Sequence, residues 1–220
     1  MITNLFLGLA LTSAVVWAGD LSKYREFQLG AGLSTITKQT NTTPSQTKTI
    51  HLRPALIQEL EWDRQAIGAS SAEAVRDVVF SFYDGKLFRI RVTYDRYQLL
   101  GLTTSDLVDA ISAKYGAAEA PPVSTKIAEG PYGDREEIVA QWQDSQHRFE
   151  LIRSSYGPTF ELVGIEKALE ASARTAAMEA KRLDDQEAPQ REAARLASES
   201  AEAAASLEKS RLANKPKFRP

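Results

Sequence analysis

The stretch VVFSFYDGKLFRIRVTYD, from Val78 to Asp95, constrains the fold more than any other part of the chain. Apolar and polar residues alternate on both sides of Asp84-Gly85, the pattern of an antiparallel hairpin. Parity then bears on the loop length. A two-residue loop pairs Phe82 with Leu87 and Phe80 with Arg89, which mixes core and charge on one face. A three-residue loop, Tyr83-Asp84-Gly85 with Gly85 left-handed, pairs Phe80 with Phe88 and Val78 with Ile90. It puts Phe80, Phe82, Phe88, Ile90, Val92 and Tyr94 on one face, and Arg89, Arg91 and Thr93 on the other. A slip of one residue reverses every side chain, so the three-residue loop is the expectation.

A face this apolar needs a layer to cover it, and the next segment supplies a helix. In GLTTSDLVDAISAKYG, Thr103 is an N-cap with Asp106 in the first turn. Leu107, Val108, Ile111 and Tyr115 form a helical stripe, and Gly116 is a left-handed stop. A poorer version, GLSTITKQT, begins at Gly32, with Ser34 as its expected cap; its threonines predict a short, weak helix. KYREFQLG before it reads as a short strand. From Ile50 to Trp62 the even positions are mostly apolar and the odd ones mostly polar, which reads as one half-buried strand. Pro54 makes it an edge strand or one broken by a bulge. EEIVAQWQD, HRFELIRSS and TFELVGIEK read as three further strands, the last two joined by a hairpin around Gly157.

The order is therefore helix, strand ending in Trp62 and hairpin at Gly85, then helix, strand ending in Trp142 and hairpin at Gly157. This predicts an α+β fold of two repeated units, each a helix on a three-stranded antiparallel sheet, over residues 19–100 and 101–166. From about Lys167 the composition shifts to Ala, Glu, Arg and Lys, which predicts a long helical extension over 167–220, broken near Pro189 and frayed at its end. Leu169, Ala176 and Leu183 are spaced by seven, but the seam is largely alanine, short for a coiled coil.

Residues 1–18 contain LFLGLALTSAVVWA, too short to span a bilayer and suited to a signal-peptide core. Val16 and Ala18 are the small residues before a cut at Gly19 or Asp20. The chain has no cysteine, hence neither disulfides nor a lipobox for a lipid tether. The expectation is a periplasmic or secreted protein with no stable membrane anchor after cleavage. A formal charge of -2 offers no field for nucleic acid.

Gly101-Leu102-Thr103, with Leu107, Ile111, Tyr115-Gly116 and strands carrying Trp142, resembles the BamE (SmpA/OmlA) envelope proteins and the β-lactamase-inhibitor-protein fold. There a G-[ML]-T helix precedes a three- or four-stranded sheet, and the inhibitor proteins carry the unit twice. The resemblance covers roughly residues 30–166 and departs from the pattern at Lys38, where the second copy has Leu107. It implies binding or assembly rather than catalysis and nominates no essential residue.

The residues themselves offer little chemistry. His51 and His147 are the only histidines. On one continuous strand, His51 and Glu59 would stand about 25 Å apart at ~3.3 Å per residue, too far for one metal, so neither a metal nor a cofactor is expected. No Gly-x-Ser-x-Gly elbow exists. The candidate binding face is Arg53, Arg89, Arg91, Arg96 and Tyr97, set against the plainer reading of ion pairs with Glu59 and Glu61. The leading reading is a non-enzymatic exported protein that binds another envelope or secreted protein through a sheet face, its C-terminal helical arm or both, the arm also offering a surface for self-association. The alternative is an exported hydrolase built from scattered Glu, Ser and His51 or His147.

Overall fold

The computed structural model describes residues 19–63, 74–120, 128–129, 135–154, 159–217 and 219. The expected signal segment and the Gly157 hairpin tip lie outside them. Strands β3 (Lys48–His51), β4 (Ile57–Asp63), β5 (Val75–Tyr83), β6 (Lys86–Tyr94), β7 (Ala128–Glu129), β8 (Arg135–Gln143), β9 (His147–Ser154) and β10 (Phe160–Glu166) form one antiparallel sheet. Its order is β3-β4-β5-β6-β10-β9-β8-β7. A separate two-stranded ribbon, β1 (Lys23–Tyr24) with β2 (Phe27–Gln28), replaces the single short strand expected there.

One sheet face carries the main core. Leu60, Phe80, Phe82, Ile90 and Val92 lie in one buried cluster with Trp142, Phe149, Leu151 and Leu162. Above them sit Ile36 of helix α1 (Leu33–Thr40), Leu107 and Tyr115 of helix α2 (Thr104–Tyr115), and Phe27 of the ribbon. The cluster draws on both expected units, which thus share a sheet and a core. The opposite face is covered by the first turns of helix α3 (Lys167–Asn214), whose Ala173 and Ala176 pack with Ile57 and Phe88.

Helix α2 follows its sequence signals. Thr103 Oγ1 accepts from the Asp106 amide at 3.2 Å and the Asp106 carboxylate accepts from the Thr103 amide at 2.7 Å, a reciprocal cap. Gly116 stops it at φ 93°. Helix α1 departs from expectation: Gly32, not Ser34, is its N-cap. Its threonines fit a helix by back-bonding, Thr37 Oγ1 to the Ser34 carbonyl at 3.2 Å and Thr40 Oγ1 to the Ile36 carbonyl at 2.9 Å. Both side chains are thereby buried with their hydroxyls satisfied.

Three expectations are corrected. The run Ile50–Trp62 is two strands, β3 and β4, with a reversal at Leu52–Leu56 in which Pro54 sits; a residue without an N–H suits a turn better than a ladder. The β5–β6 loop has two residues, since Tyr83 pairs with Lys86 and Phe82 with Leu87. The parity conflict is absorbed by a bulge between the Phe82–Leu87 and Ser81–Arg89 pairs. Phe80 therefore faces Ile90, and Phe88 joins the α3 side instead of the main core. Asp84 and Gly85, at φ 45° and 75°, supply the positive φ that a tight hairpin turn of this kind needs. A Gly85→Val variant should lose about 1–2 kcal/mol, read from its denaturation midpoint; an unchanged midpoint would contradict the turn geometry.

Third, α3 is not broken at Pro189, which lies inside it. The proline removes one N–H from the helix ladder and costs about 3 kcal/mol in a helix interior. Strong helix formers on both sides carry the helix through, and Arg191 Nη2 donates to the Asp184 carbonyl at 3.0 Å near the weakened turn.

Candidate functional site

The five expected binding residues fall in two places. Arg53, in the β3–β4 turn, donates from Nη1 to Glu187 at 2.8 Å and lies 3.7 Å from Asp184. It thereby ties down the last packed turn of α3, and the Glu187 carboxyl is held below its ordinary range by that guanidinium. On β6, Arg89 donates to Glu170 of α3, and Arg91 Nη1 donates to Glu161 of β10 at 3.2 Å. Their partners come from α3 and β10, not from Glu59 and Glu61. Arg96 and Tyr97 lie beyond the other end of β6, in the loop before α2. There Arg96 Nη2 donates to the Tyr97 hydroxyl at 2.6 Å, with its guanidinium 4.6 Å from the ring centroid. Three arginines are thus on the α3 side with acidic partners, and Arg96 with Tyr97 forms a separate exposed pair.

The polar centre beneath α3 is Glu170, 6 % exposed. Besides Arg89 it has Arg174 Nη2 at 3.6 Å. On β9, Arg148 Nε lies 2.9 Å from Glu150. Burial raises the Glu150 carboxyl above its ordinary range; Arg148 opposes that, and Glu170 adds to it. The sheet and the start of α3 therefore meet through an alternation of cations and carboxylates, arranged so that no charge of one sign stands alone.

The reversal at Pro54 also overturns the estimated His51–Glu59 separation. Both residues line one cleft between α3 and the β3–β4 hairpin. Ser81, the serine beside Glu59, gives its hydroxyl to that carboxylate at 3.3 Å, with no imidazole between them, and is buried. His147 is elsewhere, 3.4 Å from Asp144 at the start of β9. Among the described residues no three His, Asp or Glu side chains are grouped to hold a metal ion.

One feature was missed in the sequence. The loop carrying Tyr97 also exposes Leu100, at 85 %, and Leu102, at 50 %, while Leu99 just before them is buried. The run YQLLGL carried that signal in its three leucines, only one of which can turn inward. The packing of α3 stops sharply, as its sparse large apolar residues past Pro189 suggest. Ala173, Ala176 and Ala180 are buried, and Glu187 still touches the domain through Arg53, but from Ala188 to Asn214 every residue is exposed.

Against family models, curated proteins and solved structures, the chain has no match in any of the three comparisons.

Proposed function

We propose that this is an exported, non-enzymatic protein of the cell envelope, and that it binds another macromolecule through the distal part of α3. The observation that carries this reading is the helix beyond Glu187, fully exposed over residues 188–214. At ~1.5 Å per residue it extends about 40 Å from the domain. Exposed charge pairs within the helix, Arg195 with Glu192 at 2.6 Å and Arg211 with Glu208 at 2.6 Å, support it without help from the sheet. Leu196, Leu207 and Leu212 remain uncovered along it. No helix among the described residues is long and apolar enough to cross a membrane.

The fold reading that accompanies this is a duplicated unit. The strand order runs β4-β5-β6 and then, reversed, β10-β9-β8. Seventy-one residues separate the N-caps Gly32 and Thr103, and seventy-one separate the ends of β5 and β9, Tyr83 and Ser154. The ends of β6 and β10, Tyr94 and Glu166, are seventy-two apart. The ends of β4 and β8, Asp63 and Gln143, are eighty apart, so the offset is shared by the helix starts and two of the three strand pairs, which supports one unit repeated, as the likeness to the inhibitor-protein fold implies.

Because residues past Glu187 bury nothing, a chain ending at Ala188 should keep its thermal midpoint within about 3 °C, a loss of no more than about 1 kcal/mol. The functional test is capture from the native envelope fraction with the tagged full chain and with that shortened chain. The proposal expects a species held by the full chain and lost with the shortened one at equal stability. Equal capture by both would overturn the arm's role, and a large drop in the shortened chain's midpoint would make the distal helix part of the fold.

A further inference from the structure

The cleft between α3 and the β3–β4 hairpin has a volume of about 280 Å³. That is near the lower end of small-molecule sites, roughly 300 Å³. Its apolar surface comes from Ile57 and Phe88 of the sheet and Ala173 and Ala177 of the helix. Its polar lining includes two cations, Arg89 and Arg174, and two carboxylates, Glu59 and Glu170, so these formal charges cancel. Within that neutral set the hydrogen bonding is incomplete. Glu170 Oε1 accepts from Arg89, but Glu170 Oε2 is buried and accepts from no protein group. Arg174 lies 3.6 Å from Glu170, with its side chain 68 % exposed, and it has donors to spare.

We propose that this cleft binds a small zwitterion with an apolar side chain, of the free α-amino-acid class. Its carboxylate meets the guanidinium groups of Arg174 and Arg89, its ammonium meets Glu59 and Glu170, and its side chain covers Phe88 and Ile57. A ligand of one charge would add an uncompensated ion to a partly closed apolar cleft, which is costly. A zwitterion leaves the set neutral, and it brings a donor for the lining carboxylates and an acceptor for planar guanidinium forks. The site stands independently of the arm.

Calorimetric titration of the full chain tests this with L-leucine and L-phenylalanine, against 4-methylpentanoate, which lacks the ammonium, and 3-methylbutylamine, which lacks the carboxylate. The expected result is saturable one-site binding of at least one amino acid, with both single-charge analogues at least tenfold weaker. Arg174→Ala, at an exposed side chain, should weaken binding at least tenfold with an unchanged thermal midpoint, and Glu59→Gln should do the same. Absence of saturable binding for both amino acids at millimolar concentration would overturn the proposal. So would analogues that bind as well as the amino acids, or variants that bind like the parent chain.

Discussion

Gly164→Val should lower stability by about 3 kcal/mol, the upper range for forcing extra atoms into a packed core. At ~2–4 °C per kcal/mol for a chain of this size, the thermal midpoint falls by about 6–12 °C. Gly164 sits mid-strand in β10, between Ile90 on one side and Phe149 on the other. A Cβ there would lie 2.5 Å from Phe149 Cε1 and 2.7 Å from Cζ. The ring has no room to withdraw, because it is buried and stacked on Tyr115 at 4.6 Å between centroids and 19° between planes. Tyr115 is anchored in turn, its hydroxyl donating to the Lys23 carbonyl at 3.1 Å. The change would therefore disturb β9, β10, α2 and the N-terminal ribbon together. A Phe149→Leu change in the Gly164→Val background should recover part of the loss. An unshifted midpoint in the single variant would mean that the strands do not approach as described.

The second large effect is expected at Arg89. Its Met variant should lose about 2–3 kcal/mol, because Glu170 remains buried with only the more distant Arg174 beside it. Removing one partner of a buried pair costs ~3–5 kcal/mol, and the 32 % exposure of the Arg89 side chain moves this case below that range. The double variant Arg89→Met with Glu170→Leu should recover most of the loss, since an apolar pair in a helix–sheet contact is often as stable as the ion pair it replaces. Denaturation midpoints of the two single variants and the double variant check this. A single variant as stable as the parent would show that the pair is solvated and that α3 is not held down there.

How far the sequence reveals this fold depends on how local each determinant is. The α2 cap was readable because Thr103, Asp106 and Gly116 act within one helix. The faces of β5 and β6 were readable except at Phe88, since alternation says which residues conflict but not whether a longer loop or a bulge resolves the conflict. Pro54 cannot donate to a ladder, yet whether such a residue marks an edge, a bulge or a reversal of the chain depends on what pairs with it, a non-local fact. That one ambiguity hid the cleft, because it left His51 and Glu59 far apart on paper. The correspondence proposed between the two helices was also obscured. Matching Gly32 to Gly101 by their similar tripeptides aligns them two residues away from the caps, which equate Gly32 with Thr103.

Of the candidate binding residues, the positions on β6 were assigned to the correct face, but their partners were not legible. Glu170 lies eighty-one residues beyond Arg89, on a helix whose docking face is mostly alanine. Alanine gives a weak periodic signal because each one buries little area, and at ~25 cal/mol per Å² its contribution is small. The continuity of α3 through Pro189 was likewise hidden, since proline is read locally as a stop while long flanks of helix formers decide the outcome.

The central claim is that the helix beyond Glu187 is a recognition arm, and photo-crosslinking at Leu207 in the native cells tests it most directly. Leu207 is 72 % exposed and far along the free part of α3. A light-activated residue there should give one defined crosslinked species, absent when the same residue is placed at Leu52, an exposed position on the domain's β3–β4 turn. Crosslinks from Leu52 with none from Leu207 would contradict the account and move recognition to the domain.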